Sequence, residues 1–285
     1  MFTTPANLVL LLAAGLGTGV AGAVLGTGGG VFLVPILVVG FGVPMHYAIG
    51  TSIVSVIATS SAVASVNVDR GIANLRLAVV LEIATALGAI SGGVAAGWIS
   101  ARALEVIFAV VLVPTAVMMW RHRGHSRPPA AGGTLTADGV SPGSLGGRYF
   151  DAALGHEVVY AVHRLWAALS ASFVAGSMSG LLGIGGGVFK VPALNVWCKV
   201  PTKAAAATSN FMIGVTGAAS AFLYFGRGEV RPALTAAIVL GVLAGSAVGS
   251  YVNLVVRGRL VRKIFALLLV GVAVQMIVRA LFFAE

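Results

Sequence analysis

Leu25-Gly26-Thr27-Gly28-Gly29-Gly30-Val31-Phe32-Leu33-Val34-Pro35 returns 157 residues later as Leu182-Gly183-Ile184-Gly185-Gly186-Gly187-Val188-Phe189-Lys190-Val191-Pro192. The same ungapped offset pairs Val43-Pro44 with Val200-Pro201, Thr51-Ser52 with Thr208-Ser209, and Arg70-Gly71 with Arg227-Gly228. It also pairs Gly88 with Gly245, Gly92 with Gly249, and Arg102 with Arg259. Chance rarely keeps register over such a length, so the chain is two copies of one unit. Three adjacent glycines interrupt a helix and leave amides unpaired, and the following proline removes another helical hydrogen bond.

Outward from this peptide the sequence is apolar. Of 285 residues 58% are apolar and only 9% charged, with mean hydropathy +1.01. A soluble domain carries about a quarter charged residues, so there is too little polar surface to cover a water-facing globule. Disordered, fibrous and nucleic-acid-binding classes are excluded, because the net charge of +10 sits in short gaps between apolar stretches. A polytopic membrane protein is the class that remains. The single cysteine, Cys198, rules out a disulfide framework or a cysteine metal cage within one chain and reads as a small packing residue.

The apolar blocks run over 7–25, 29–45, 47–67, 76–98 and 103–120, then 163–182, 186–198, 204–225, 232–254 and 261–283. The first has no basic segment before it and reads as a membrane helix rather than a cleaved leader. An open strand in lipid leaves its backbone unpaired, so every block is expected to be helical. The expected fold is all-α: two inverted repeats of about five hydrophobic helical segments each, with glycine-broken helices near the bilayer midplane. Residues 1–120 form the first repeat and 158–285 the second. Between them, 121–157 reads as a flexible cytoplasmic linker, with Arg121, Arg123, Arg127, Arg148, Pro128, Pro129 and Pro142.

Charge supports the inversion. Five crossings per copy put 13 Lys/Arg on the linker side against four on the other, with Lys190 unassigned. If the short second block of each copy re-enters instead, the count is 10 against 7 and the bias disappears. The positive-inside rule favours the first arrangement, although a bent or broken second block stays open.

If the glycines mark a helix start, free N–H groups and the positive dipole end face an anion. Two such starts meeting at the midplane are the recurring site of inverted-repeat transporters. The alternative is close helix packing through small residues. A nucleotide loop is excluded, since the Gly-Lys-Ser/Thr ending and the strand–helix unit are missing.

The Gly-x-Gly-Gly-Gly-x-x-x-Val-Pro element of each half, followed by Thr51-Ser52 and by Thr208-Ser209-Asn210, resembles the TauE/SafE (TSUP, sulfite exporter) family of membrane transporters. The resemblance covers nearly the whole chain outside 121–157. It implies transport of small sulfur-containing anions such as sulfite, sulfoacetate or other organosulfonates. The halves differ at Thr27 versus Ile184, Leu33 versus Lys190, and Ile53 versus Asn210, which leaves open the half that contacts ligand more.

The candidate substrate-binding residues are Gly28, Gly29, Gly30, Thr51, Ser52, Gly185, Gly186, Gly187, Lys190, Thr208, Ser209 and Asn210. Lys190 is either a counter-charge for the anion or a snorkelling side chain. Hydroxyls and amides suit a weakly basic oxyanion, while Ser55 and Thr59 fit better as donors to their own i−4 carbonyls. Glu82 is a candidate proton carrier for coupling; Arg76, six residues away, is a poor helical partner for it, and its counterpart in the second half is Val239. His46 and Lys203 occupy matching positions and read as solvated caps, and Arg102 and Arg259 as headgroup anchors.

No cluster has metal-ligand spacing and no catalytic set can be assembled, so neither an enzyme nor a cofactor is expected. The leading reading is a secondary transporter in the cytoplasmic membrane. It exports its anion by alternating access, on the substrate gradient or coupled to protons or sodium. The alternatives are a passive anion channel, and a non-transporting scaffold or membrane enzyme.

Overall fold

The computed structural model describes residues 5–121, 143–151, 155–255, 267, 269–276 and 278. Among these residues it is all-α apart from one hairpin. The helices are α1 (Pro5–Leu25), α2 (Gly30–Pro35, continued by a wider π turn over Ile36–Gly40), α3 (Met45–Asp69), α4 (Leu75–Trp98) and α5 (Ala101–Arg121). After strands β1 (Gly147–Asp151) and β2 (His156–Tyr160) come α6 (Leu165–Leu182), α7 (Gly187–Val196), α8 (Thr202–Gly226) and α9 (Pro232–Val255). Six of them, α1, α3, α4, α6, α8 and α9, are long and apolar enough to cross a membrane. Arg123, Arg127, Pro128, Pro129, Pro142 and Arg259 lie outside the described residues.

The duplication reappears in the helix bounds. Shifted by 157, α3 falls on α8 with no change at either end, and α4 and α9 start at equivalent residues. The second block of each copy is shorter than its apolar run: α7 has 10 residues, and α2 with its π turn covers 30–40. These are half-helices, too short to cross ~30 Å of hydrocarbon at 1.5 Å per residue.

The halves exchange partners. α1 packs on α9, and α6 on α4, through seams of small residues. A Cβ placed on Gly19 or Gly245 would strike the backbone of Val242 or Leu16, and one on Gly92 or Gly180 that of Ser177 or Ala89. The glycines recurring at 88/245 and 92/249 therefore serve close backbone approach. α1 runs in the same sense as α9: Gly15 meets Ile238, and Gly249 meets Val20. α3 and α8, equivalent under the offset, run in opposite senses, because Gly214 meets Ser60 whereas Gly217 meets Ile57.

Side-chain placement suits lipid. Val79, Ile83, Leu87 and Ile90 form an exposed apolar stripe on α4. Trp98 ends α4 and Trp166 begins α6, both exposed, at opposite ends of two helices that run together. The inner face of α5 is an i,i+4 ladder of buried Leu104, Phe108, Leu112 and Ala116.

The hairpin was not expected, since 147–157 falls in the stretch read as a flexible linker. Gly147 pairs with Tyr160 and Asp151 with His156. Tyr149, Val158 and Tyr160 bury against Leu77 and Leu81 of α4, Ala168 of α6, Leu194 of α7 and Met212 of α8. Asn74 fastens it: Asn74 Nδ2 donates to Leu145 O (2.9 Å) and to the Tyr160 hydroxyl (3.2 Å) while Oδ1 caps α4 through Leu77 N (3.0 Å). Lys203 adds an ion pair to Asp151 at 3.0 Å.

Candidate functional site

The two glycine peptides meet. Positive φ angles recur in pairs: 68° and 70° at Gly26 and Gly183, 78° and 77° at Gly28 and Gly185, 80° and 70° at Gly29 and Gly186. Only glycine adopts these angles without strain, so both chains turn sharply and restart as helices. Gly29 caps α2, and Gly186 caps α7. A Cβ on Gly30 would land on the Gly183 carbonyl oxygen, and one on Gly187 would sit 3.1 Å from Gly26 O. Val56 and Ile213, themselves related by the offset, clamp both Gly28 and Gly185. All of 26–30 and 183–187 is buried. Among the described residues no hydrogen bond uses the N–H groups of Gly28, Gly29, Gly30 or Val31, nor those of Gly185, Gly186, Gly187 or Val188.

The polar residues behind the glycines divide by what they touch. Ser52 Oγ donates to Gly183 O at 2.7 Å and ties α3 to the opposite motif. Its counterpart Ser209 is fully buried, and its hydroxyl has no partner. Thr27 Oγ1, inside the first motif, is also buried and unpartnered. Asn210 lies over the same motif, with Nδ2 3.7 Å from where a Gly26 Cβ would be. Thr51 and Thr208 are engaged at helix contacts: Thr51 with Thr235 of α9 (3.3 Å), Thr208 as acceptor from Asn74 N (3.0 Å). Ser55 and Thr59 donate to Thr51 O (2.9 Å) and Ser55 O (3.0 Å), the local role expected of them. His46 Nε2 lies 3.2 Å from Ala96 O, and Arg102 is exposed.

Lys190 does not snorkel. Its side chain is 2% exposed and donates from Nζ to Thr216 Oγ1 at 2.9 Å. Thr216 in turn donates to Glu82 Oε1 at 2.8 Å or to Met212 O at 2.7 Å. Glu82 is 8% exposed, and its Oε2 has no partner. The two charges singled out separately in the sequence therefore share one hydroxyl, contributed by α8. Thr216 escaped the sequence reading. The available signal was that both charges have apolar counterparts, Leu33 and Val239, so both depart from the repeat.

The electrostatic logic is that of two buried opposite charges linked through the Thr216 hydroxyl. Neither charge is tolerable alone in hydrocarbon, and together with a bridging hydroxyl they are neutral and bonded. Among the described residues no group of three or more His, Cys, Asp or Glu side chains could hold a metal ion.

A family model described as "Sulfite exporter TauE/SafE" matches residues 11–276. "Probable membrane transporter protein YunE" of Bacillus subtilis (strain 168) is 24% identical over 285 residues, covering 97% of this chain and 99% of the relative. Proteins called "Probable membrane transporter protein" from Xylella fastidiosa strains Temecula1 / ATCC 700964 and 9a5c are each 26% identical, with 96% of both chains covered. No solved structure gives a significant match.

Proposed function

The chain belongs to the sulfite exporter TauE/SafE family of membrane transporters, and from that premise we propose that it is a secondary transporter exporting small sulfur-containing anions across the cytoplasmic membrane. Sulfite, sulfoacetate and other organosulfonates are the substrate class. The observation that carries this reading is the buried meeting of two glycine breaks whose amides are not used by the fold.

The anion docks at the start of α7, on the amides of Gly185, Gly186 and Gly187. Gly28, Gly29 and Gly30 form the facing wall. Fixed amide dipoles at a helix N-terminus favour an oxyanion without a permanent charge fixed at the same point. Ser209 and Asn210 supply further donors, and Lys190, one turn into α7, supplies the counter-charge. Ser52, Thr51 and Thr208 hold the surrounding helices, consistent with their present partners.

Alternating access follows from the wall being shared. Each motif belongs to a different half, so a small rotation of one half against the other parts the glycines toward one side of the membrane. The opposite senses of α3 and α8 support an inverted relation between the halves. The burial of both motifs favours a carrier over a permanently open channel.

Export runs on the outward gradient of the anion together with that of any coupling ion. Proteoliposomes loaded with sulfite or sulfoacetate should show saturable, protein-dependent efflux. Absence of such flux for every sulfur oxyanion would defeat the substrate assignment, and conductance at channel rates would defeat the carrier mechanism.

A further inference from the structure

We propose that Lys190, Thr216 and Glu82 form a proton-binding site through which each anion crosses with one proton in the same direction. This rests on the anion-transport reading above and adds what that reading lacks, the coupling.

The Thr216 hydroxyl has one hydrogen and two acceptors within reach, Glu82 Oε1 at 2.8 Å and Met212 O at 2.7 Å. It also accepts from Lys190 Nζ at 2.9 Å. With Glu82 ionised, the hydroxyl hydrogen points to the carboxylate. With Glu82 protonated, that hydrogen turns to Met212 O, within the same helix. Both protonation states are accommodated without moving a backbone. The proton itself goes to the carboxyl group, whose Oε2 is buried without a partner.

Charge sets the stoichiometry. The empty site holds one ammonium and one carboxylate, net zero, and can turn across the membrane. An anion drawn to Lys190 leaves Glu82 as an uncompensated buried charge, which costs several kcal/mol. One proton on Glu82 restores the balance for a monovalent sulfonate and halves the excess for a dianion such as sulfoacetate. On the far side the anion leaves, the proton follows it to water, and Glu82 returns to Lys190 through Thr216.

Around Glu82 and Lys190 the other titratable groups are engaged elsewhere or, like the Tyr149 and Tyr160 phenols and the Cys198 thiol packed by Leu77 and Leu81, keep their protons at neutral pH. Along α4 itself the other charge is Arg76, six residues nearer the helix start and exposed. α6, packed along α4, has no charged or titratable side chain. α8 offers Lys203, paired with Asp151, and Tyr224, whose hydroxyl donates to Gly180 O at 2.8 Å. Arg227, which caps α8, is held by Glu229 and by Gly93 O, near the far end of α4. The hairpin's Arg148 and Glu157 face each other at 3.7 Å. In the other half, the positions equivalent to Lys190, Thr216 and Glu82 are Leu33, Thr59 and Val239, so the molecule carries one such site and moves one proton per cycle.

The test uses proteoliposomes of the full chain with labelled methanesulfonate and sulfoacetate, whose charges are constant between about pH 6 and 8. In the wild type, an interior more acid than the outside should drive either anion outward against its own gradient. Methanesulfonate flux should ignore an imposed membrane potential. Glu82→Gln should lower net pH-driven flux at least tenfold while keeping anion-for-anion exchange above a tenth of wild type, which also shows that the variant folds. Thr216→Val should lose proton dependence and Thr216→Ser should regain it. Wild-type net flux driven by membrane potential and indifferent to pH, or an undiminished pH response in Glu82→Gln, overturns the coupling alone. No exchange of either anion in the wild type overturns the assignment of these anions as substrates, and the coupling falls with it.

Discussion

Gly30 and Gly187 occupy the same place in the repeat, and alanine should harm them unequally. Gly30 has no positive φ and opens α2, so an alanine is conformationally acceptable there and the whole effect is steric. Its methyl would land on Gly183 O, 2.7 Å from Val56 Cγ2 and 2.8 Å from Ser52 Oγ. The first of these is backbone and cannot step aside, and the methyl also wedges into the Ser52–Gly183 hydrogen bond. Overpacking costs ~1–3 kcal/mol and a lost buried hydrogen bond ~1 kcal/mol, so Gly30→Ala should cost about 2–4 kcal/mol. At Gly187 the nearest atom is Ile213 Cδ1 at 2.7 Å, the free end of a side chain, and the nearest carbonyl is 3.1 Å away. Turning that isoleucine off its rotamer costs roughly 0.5–1.5 kcal/mol. In detergent the loss of a monodisperse peak on heating should fall by roughly 5–10 °C for Gly30→Ala and about 2–4 °C for Gly187→Ala. Exchange activity should follow the same order. Gly17, exposed with nothing within 4 Å, is the control: Gly17→Ala should melt no lower than wild type. Equal losses at 30 and 187, or a larger loss at 187, would refute the packing of the two motifs described here.

Three further outcomes follow from the same geometry. Ser52→Ala should destabilise by ~1–2 kcal/mol in the melting assay, because it leaves Gly183 O unpaired, whereas Ser209→Ala should leave melting unchanged and raise the KM for the anion about tenfold. Asn74→Ala removes a helix cap together with the bonds to Leu145 and Tyr160. It should cost about 2 kcal/mol and raise hydrogen exchange across residues 147–160 at least tenfold. Burial, helped by Asp151 and then Tyr160, pushes the Tyr149 phenol up from 10.0 to about 12. The native state holds that proton longer than the unfolded chain, so its contribution is intact below pH 10 and disappears as pH rises through about 12. The alkaline loosening of the hairpin, followed by tyrosine absorbance and hydrogen exchange, should shrink in Tyr149→Phe.

Much of this architecture could be read from the chain, because duplication and hydropathy are periodic signals. The 157-residue offset located the glycine breaks, and the structure places both at helix starts. Three things stayed hidden for physical reasons. Pairing of α1 with α9 and of α4 with α6 is decided by three-dimensional closure, and Gly88, Gly92, Gly245 and Gly249 look alike whichever helix they meet. Glu82 and Lys190 lie in different halves, so their meeting depends on that same exchange. The hairpin was diluted by its neighbours: Arg148-Tyr149-Phe150-Asp151 and Glu157-Val158-Val159-Tyr160 are β-forming, but the proline- and glycine-rich residues before them dominate the composition. Thr51 and Thr208 share the sequence context expected of ligand residues, and only their bonds to Thr235 and Asn74 distinguish a helix-to-helix tie.

The exchange of partners also governs how the protein must be made. α1 is synthesised long before α9, and its seam of Gly15 and Gly19 stays without its mate until most of the chain has emerged. A ribosome stalled after residue 120 therefore leaves a bundle fragment with open grooves, dependent on insertion machinery to shield it. Two separately encoded halves should accumulate only when produced together, since each supplies the wall against which the other closes.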